Sequence, residues 1–130
     1  MSADNSRAFA AHHATNEFLL ALDAHRRSYI RSLPAKMKEI ESLWGAIARG
    51  EVGRDVLREV ELRAHSLAGT AGTFGLAELS YKGRVLELLV QDFLQEETGD
   101  EAGHNARVRA VIASIRKSLR RERSSLGRRP

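Results

Sequence analysis

The sequence has no cysteine, only two prolines, and aromatic residues at just 5% of its 130 positions. Without cysteine there is no disulfide, no thiolate metal site and no thiol nucleophile, which fits a reducing compartment. No stretch approaches the roughly 20 apolar residues that a membrane helix needs, and Met1 to Ala14 lacks the apolar centre of a signal segment. A soluble cytoplasmic protein with no membrane contact is therefore the expectation. Alternating apolar and polar runs of useful length are also missing, as is any internal repeat.

What is present is an apolar fraction of 42%, drawn mostly from Leu, Ala, Val and Ile. That mixture favours helix packing over sandwich strands, and the length suits one domain with a single modest core. The formal charge of +4 is unevenly spread. Residues 116–130 hold seven of the 21 basic residues and one of the 17 acids, leaving a mildly acidic remainder. Basicity is thus a property of the tail, which reads as a solvated segment with no interleaved aromatics for base stacking; no nucleic acid partner is expected.

Apolar spacings of three and four divide the chain into helical segments. Residues 1–14 read as a lead-in or short packing helix. From Asn16, Leu19, Leu22, Ile30 and Leu33 mark a helix that Pro34 should end, because proline fits a first turn but not a helix interior. A second helix is expected from Pro34 to Arg49, with Met37, Ile40, Leu43, Trp44 and Ile47 on one face and Gly50 as its stop. A third runs from about Arg54 to Thr73, a fourth from Leu76 to about Gln95, and a last from about Glu101 to Arg121. Glu96 to Asp100 supplies the polar break between the last two. The expected fold is all-α: an up-and-down antiparallel four-helix bundle with an additional N-terminal helix. Its organisation is 1–14 as lead-in, 15–121 as the bundle and 122–130 as a basic tail.

The third segment holds the chemistry. Leu57, Val60, Ala64, Leu67, Ala71 and Phe74 form its buried stripe, and His65 projects roughly 130° from the stripe's centre at about 100° per residue. It should face water. Arg54, Arg58 and Glu61 precede it on that face, while Gly69 and Gly72 follow. Glycines inside a helix cost roughly 1 kcal/mol each relative to alanine, so their placement needs a reason. Clearance around the imidazole is one; close helix packing is another. Leu62, on the edge of the face, is a candidate apolar contact for a partner. A neutral imidazole is a nucleophile near neutral pH, and Glu61 is a candidate for orienting the ring.

The stretch from Ala64 to Leu79, AHSLAGTAGTFGLAEL, resembles the signature of the histidine phosphotransfer (HPt) domain family, approximately A-H-x-L-K-G-S-A-x-x-[hydrophobic]-G-x-x-x-L. The resemblance continues through Gly83, Leu86 and Glu87 and back to Leu33-Pro34 and Trp44. It implies a four-helix bundle in which His65 accepts a phosphoryl group from a receiver-domain aspartate and passes it to another receiver. Gly69 matches the glycine that gives access to the histidine. The implied partners are response-regulator receiver domains, with a hybrid histidine kinase as a further candidate. No ATP, metal or other cofactor is implied on this chain, since Mg²⁺ belongs to the receiver. One departure is Ala68, where the family usually has a lysine that assists the phosphate. Of Arg54, Arg58, Arg63 and Lys82, the helical wheel places only Arg54 and Arg58 on the His65 face.

His12, His13, His25 and His104 repeat no ligand spacing, so no metal site is expected. No triad partner and no phosphate loop accompany the Ser and Thr residues near His65. The leading expectation is a stand-alone, monomeric phosphocarrier without kinase activity. Its rivals are a non-catalytic helical adaptor that docks receivers, and the substrate domain of a larger histidine kinase.

Overall fold

The computed structural model describes the backbone of residues 3–95 and 100–127, with side chains from residue 6. Residues 96–99 of the polar break expected from Glu96 to Asp100, and the last three residues of the basic tail, lie outside the described residues. Among those described, four helices follow one another: α1 (Ala3–Ala48), α2 (Arg54–Thr73), α3 (Ala77–Gln95) and α4 (Glu101–Leu126).

Two expectations about the N-terminal half need correction. Residues 3–14 form no separate element, and Pro34 does not end a helix but lies inside α1. The reason is phase. Ile30, Leu33, Met37, Ile40 and Trp44 recur at steps of three and four straight across the proline, and all five are buried. Each such burial contributes about 1.5–3 kcal/mol, which together outweighs the roughly 3 kcal/mol that an internal proline costs. Leu19, expected on the apolar face, is 53% exposed instead, because α1 overhangs the bundle and residues 6–21 are all exposed.

Glycine stops the first two helices. Gly50 and Gly75 each have φ of 71°, a left-handed conformation that glycine adopts without a Cβ penalty. At Gly75 the Leu76 amide donates to Ala71 O at 2.9 Å and the Gly75 amide to Gly72 O at 3.1 Å, the paired bonds of a Schellman cap. At the start of α4, Asp100 accepts from the Gly103 amide at 2.9 Å. That helix continues past the expected limit at Arg121 to Leu126, with Glu122 facing Arg26 at 3.4 Å.

Cross-helix contacts define an up-and-down, antiparallel arrangement. Trp44 Nε1 donates to Asn105 Oδ1 at 2.8 Å while Arg26 meets Glu122, so α1 and α4 run in opposite directions. Ser80 Oγ donates to Ala68 O at 2.7 Å, and His65 reaches Glu87, which sets α3 antiparallel to α2. The core combines the α1 stripe with Leu57, Val60, Ala64, Leu67 and Ala71 of α2, Leu79, Leu86 and Val90 of α3, and Val108, Ile112, Ile115 and Leu119 of α4. Contact is most extensive between α2 and α3. That pair carries the site.

Candidate functional site

His65 lies in the middle of α2, whose opposite face supplies five buried residues to the core. Its side chain is 66% exposed. Facing it from α3 is Glu87, an acid on the apolar side of that helix and only 5% exposed. A carboxylate in such a position needs partners for its charge. It has two: His65 Nδ1 lies 2.7 Å from Oε2, and Arg84 Nη1 donates to Oε1 at 2.9 Å.

This pairing assigns the imidazole. An ionised carboxylate only accepts hydrogen bonds, so Nδ1 carries the proton and donates it to Glu87. The lone pair of the neutral ring is then on Nε2, the outer nitrogen. A fixed tautomer and a fixed ring orientation are what a nitrogen nucleophile requires.

Around the ring is an open depression lined by Ala68, Gly69, Gly72, Gly75, Ala77, Ser80, Tyr81, Arg84 and Glu87. A Cβ placed on Gly69 meets nothing within 4 Å, so this glycine leaves bare helix beside the imidazole. Gly72 differs. A Cβ there would lie 3.1 Å from Ser80 Oγ, so its missing side chain also serves the approach of α3. Gly83 on α3, outside the candidate set read from the sequence, is the tightest of these packing positions: its Cβ would lie 3.0 Å from the Ala68 backbone nitrogen.

The remaining candidates are not all brought to this place. Leu62 is 63% exposed on the same helix. Glu61 is half-buried, but the hydrogen bond to the ring comes from Glu87, so the orienting role considered for Glu61 falls to a residue across the helix pair. Arg58 is exposed two turns before His65, and the Arg54 guanidinium donates to Leu94 O at the far end of α2. Arg63 pairs with Glu39 and Glu59. Lys82 turns towards α4, donating to Glu78 at 2.9 Å and Ser118 Oγ at 2.6 Å. The cation beside His65 is Arg84, which the reading of one helix at a time missed. The available signal was Glu87 itself, a charge on the apolar stripe of α3 with an arginine three residues earlier.

Elsewhere, His104 is buried, with Nδ1 donating to Asp100 O at 3.0 Å and its ring edge-on to Phe93. Among the described residues, no group of three or more His, Asp or Glu side chains is placed to hold a metal ion. None of the described helices is long and apolar enough to cross a membrane.

Comparison with curated proteins and with solved structures returns no match. The sequence model of one family, described as Hpt domain, matches residues 25–123, the bundle without the overhanging part of α1. Members of this family are phosphocarriers rather than enzymes and interact with receiver domains and histidine kinases in phosphorelays. The matched span contains His65, Glu87 and Arg84 together with α2, α3 and the packed parts of α1 and α4, and the chain belongs to the Hpt domain family, the histidine-containing phosphotransfer domains of two-component systems.

Proposed function

We propose that His65 is the phosphoryl carrier of this chain, taking the group from a receiver-domain aspartyl phosphate and delivering it to a second receiver. The observation that carries this reading is the bond from His65 Nδ1 to the buried Glu87, which leaves Nε2 as the free nucleophile above the bare backbone at Gly69. In the forward step the Nε2 lone pair attacks phosphorus, the N–P bond forms, and the P–O bond to the aspartate breaks with its electron pair leaving on the carboxylate. The ring acquires positive charge as Nε2 becomes substituted, and the Glu87 carboxylate at Nδ1 offsets it. Delivery to the next aspartate is the same step reversed.

Gly69 and Gly72 form the access surface, with Leu62 as an apolar contact and Glu61, Arg58 and Arg54 as outlying docking positions along α2. The open side of the depression, towards Gly75, Ala77 and Tyr81, extends that surface over the start of α3. Mg²⁺ is supplied by the receiver, and the protein works as a cytoplasmic monomer.

The test is incubation with a phosphorylated receiver. Acid-labile phosphate should appear on the wild-type chain and be absent from a folded His65→Gln variant. Equal labelling of that variant would exclude His65 as the carrier, and receiver binding with no uptake by the wild type would leave a docking adaptor.

A further inference from the structure

The carboxylate that orients His65 is also an obstacle. A phosphoryl group on Nε2 brings close to two negative charges to a ring whose other nitrogen already touches Glu87. Like charges at such a distance repel strongly beside a low-dielectric core. One cation is positioned to relieve this. Arg84 binds the second oxygen of the same carboxylate through Nη1 at 2.9 Å, and no hydrogen bond to a described residue engages its Nη2 or Nε. Its side chain is 58% exposed and lines the same depression as His65 and Gly69. The other nearby cations are committed elsewhere or, like Arg58, lie about 10 Å along the helix.

Resting on the reading of His65 as carrier, we infer that Arg84 is the phosphoryl-binding cation of the site. Its guanidinium keeps one arm on Glu87 and presents the other to an oxygen of the transferred group, a use for which the planar fork is suited. Arg84 then holds the loaded site at one net negative charge instead of two. Before transfer, Arg84 neutralises Glu87 beside a neutral ring; afterwards it also faces the phosphoryl dianion, while Glu87 faces the ring that has become cationic.

A small phosphodonor separates this inference from the docking of any partner. With phosphoramidate, Nε2 attacks phosphorus and the donor's P–N bond breaks, ammonia departing with a proton from solvent. Uptake by the full-length chain is followed by mass spectrometry, and the phosphoryl titration by ³¹P NMR. Arg84→Ala should slow uptake about tenfold and raise the midpoint of that titration, with Arg84→Lys recovering part of both. Arg107→Ala, on the exposed side of α4, should change neither. ¹⁵N NMR of the ring should show the Nδ1–H tautomer retained in Arg84→Ala. An unchanged rate and midpoint in that variant, with His65 still labelled, would overturn the role of Arg84. Slowing accompanied by loss of the tautomer would also overturn it, because Arg84 would then act only through Glu87. Undiminished labelling of His65→Gln would instead remove the carrier reading beneath it.

Discussion

Gly83 of α3 faces the backbone of Ala68 in α2 so closely that a single added carbon would sit 3.0 Å from the Ala68 nitrogen and 3.2 Å from its Cα. One turn further along α3 is Glu87, and three residues before Ala68 is His65. The proximity of the two helices at Gly83 is therefore what brings the carboxylate within reach of the ring.

Gly83→Ala tests this. Alanine gains up to about 1 kcal/mol in helix propensity, but the atoms it meets include backbone, which cannot rotate away, and overpacking costs about 1–3 kcal/mol. The expected net is a destabilisation of about 1 kcal/mol in chemical denaturation. It should be accompanied by a weakened His65–Glu87 bond, read from the ring ¹⁵N shifts.

Gly69 should behave oppositely. With nothing within 4 Å of its Cβ position, Gly69→Ala should stabilise the protein by about 0.5–1 kcal/mol through helix propensity alone. Gly69→Phe should remain folded and still react with phosphoramidate, yet lose uptake from a phosphorylated receiver. Uptake at the wild-type rate would show that this surface is not approached by the donor.

The contrast between these glycines marks where sequence reading reaches and where it stops. Facing directions within one helix follow from its period, so five of the six expected stripe residues, the exposure of His65 and the boundaries Arg54–Thr73 are legible, while Phe74 lies half-buried just past the end of α2. The partners of His65 were not, because Glu87 lies 22 residues away on a different helix, and a period says nothing about which turn of α3 meets which turn of α2. Pro34 departs from the sequence expectation for a related reason. Local propensity favours a break there, but tertiary burial on both sides, in phase, decides otherwise.

Tyr29 offers a test of polar burial. Its hydroxyl is buried without a hydrogen-bond partner where α1 meets α2, its ring packs on Phe74 at 5.5 Å, and desolvation pushes its pKa up from 10.0 to about 12. Tyr29→Phe should stabilise the fold by about 1 kcal/mol at neutral pH, since no bond is lost with the hydroxyl. The sign at high pH follows from the raised pKa. The stability favouring the neutral phenol is complete below pH 10 and declines as pH rises towards 12, so wild-type stability should fall in that window more steeply than that of the variant.

At acid pH the sensitive group is Glu78. Hydrogen bonding to Lys82 is the largest influence lowering its pKa from 4.5 to about 2, with Ser118 and Arg121 acting in the same direction. A depressed carboxylate contributes stability above its unfolded value and loses it as pH falls through the folded one. Thermal melting of the wild type should therefore decline between pH 4.5 and 2 more than that of Glu78→Gln. Parallel curves would show that this cluster adds nothing to the α3–α4 contact.

The overhang of α1 divides the molecule thermodynamically. Residues 6–21 are all exposed and receive no support from the other three helices, and an isolated helix of that length is marginal in water. Their helicity is an extension propagated from the packed portion beyond, so it should melt gradually while the bundle unfolds in one sharp cooperative step. Amide protons in this segment should exchange quickly even under conditions where those of Val60 and Leu86 persist. Deleting it should lower the helical circular dichroism signal yet leave the midpoint of the main transition where it was.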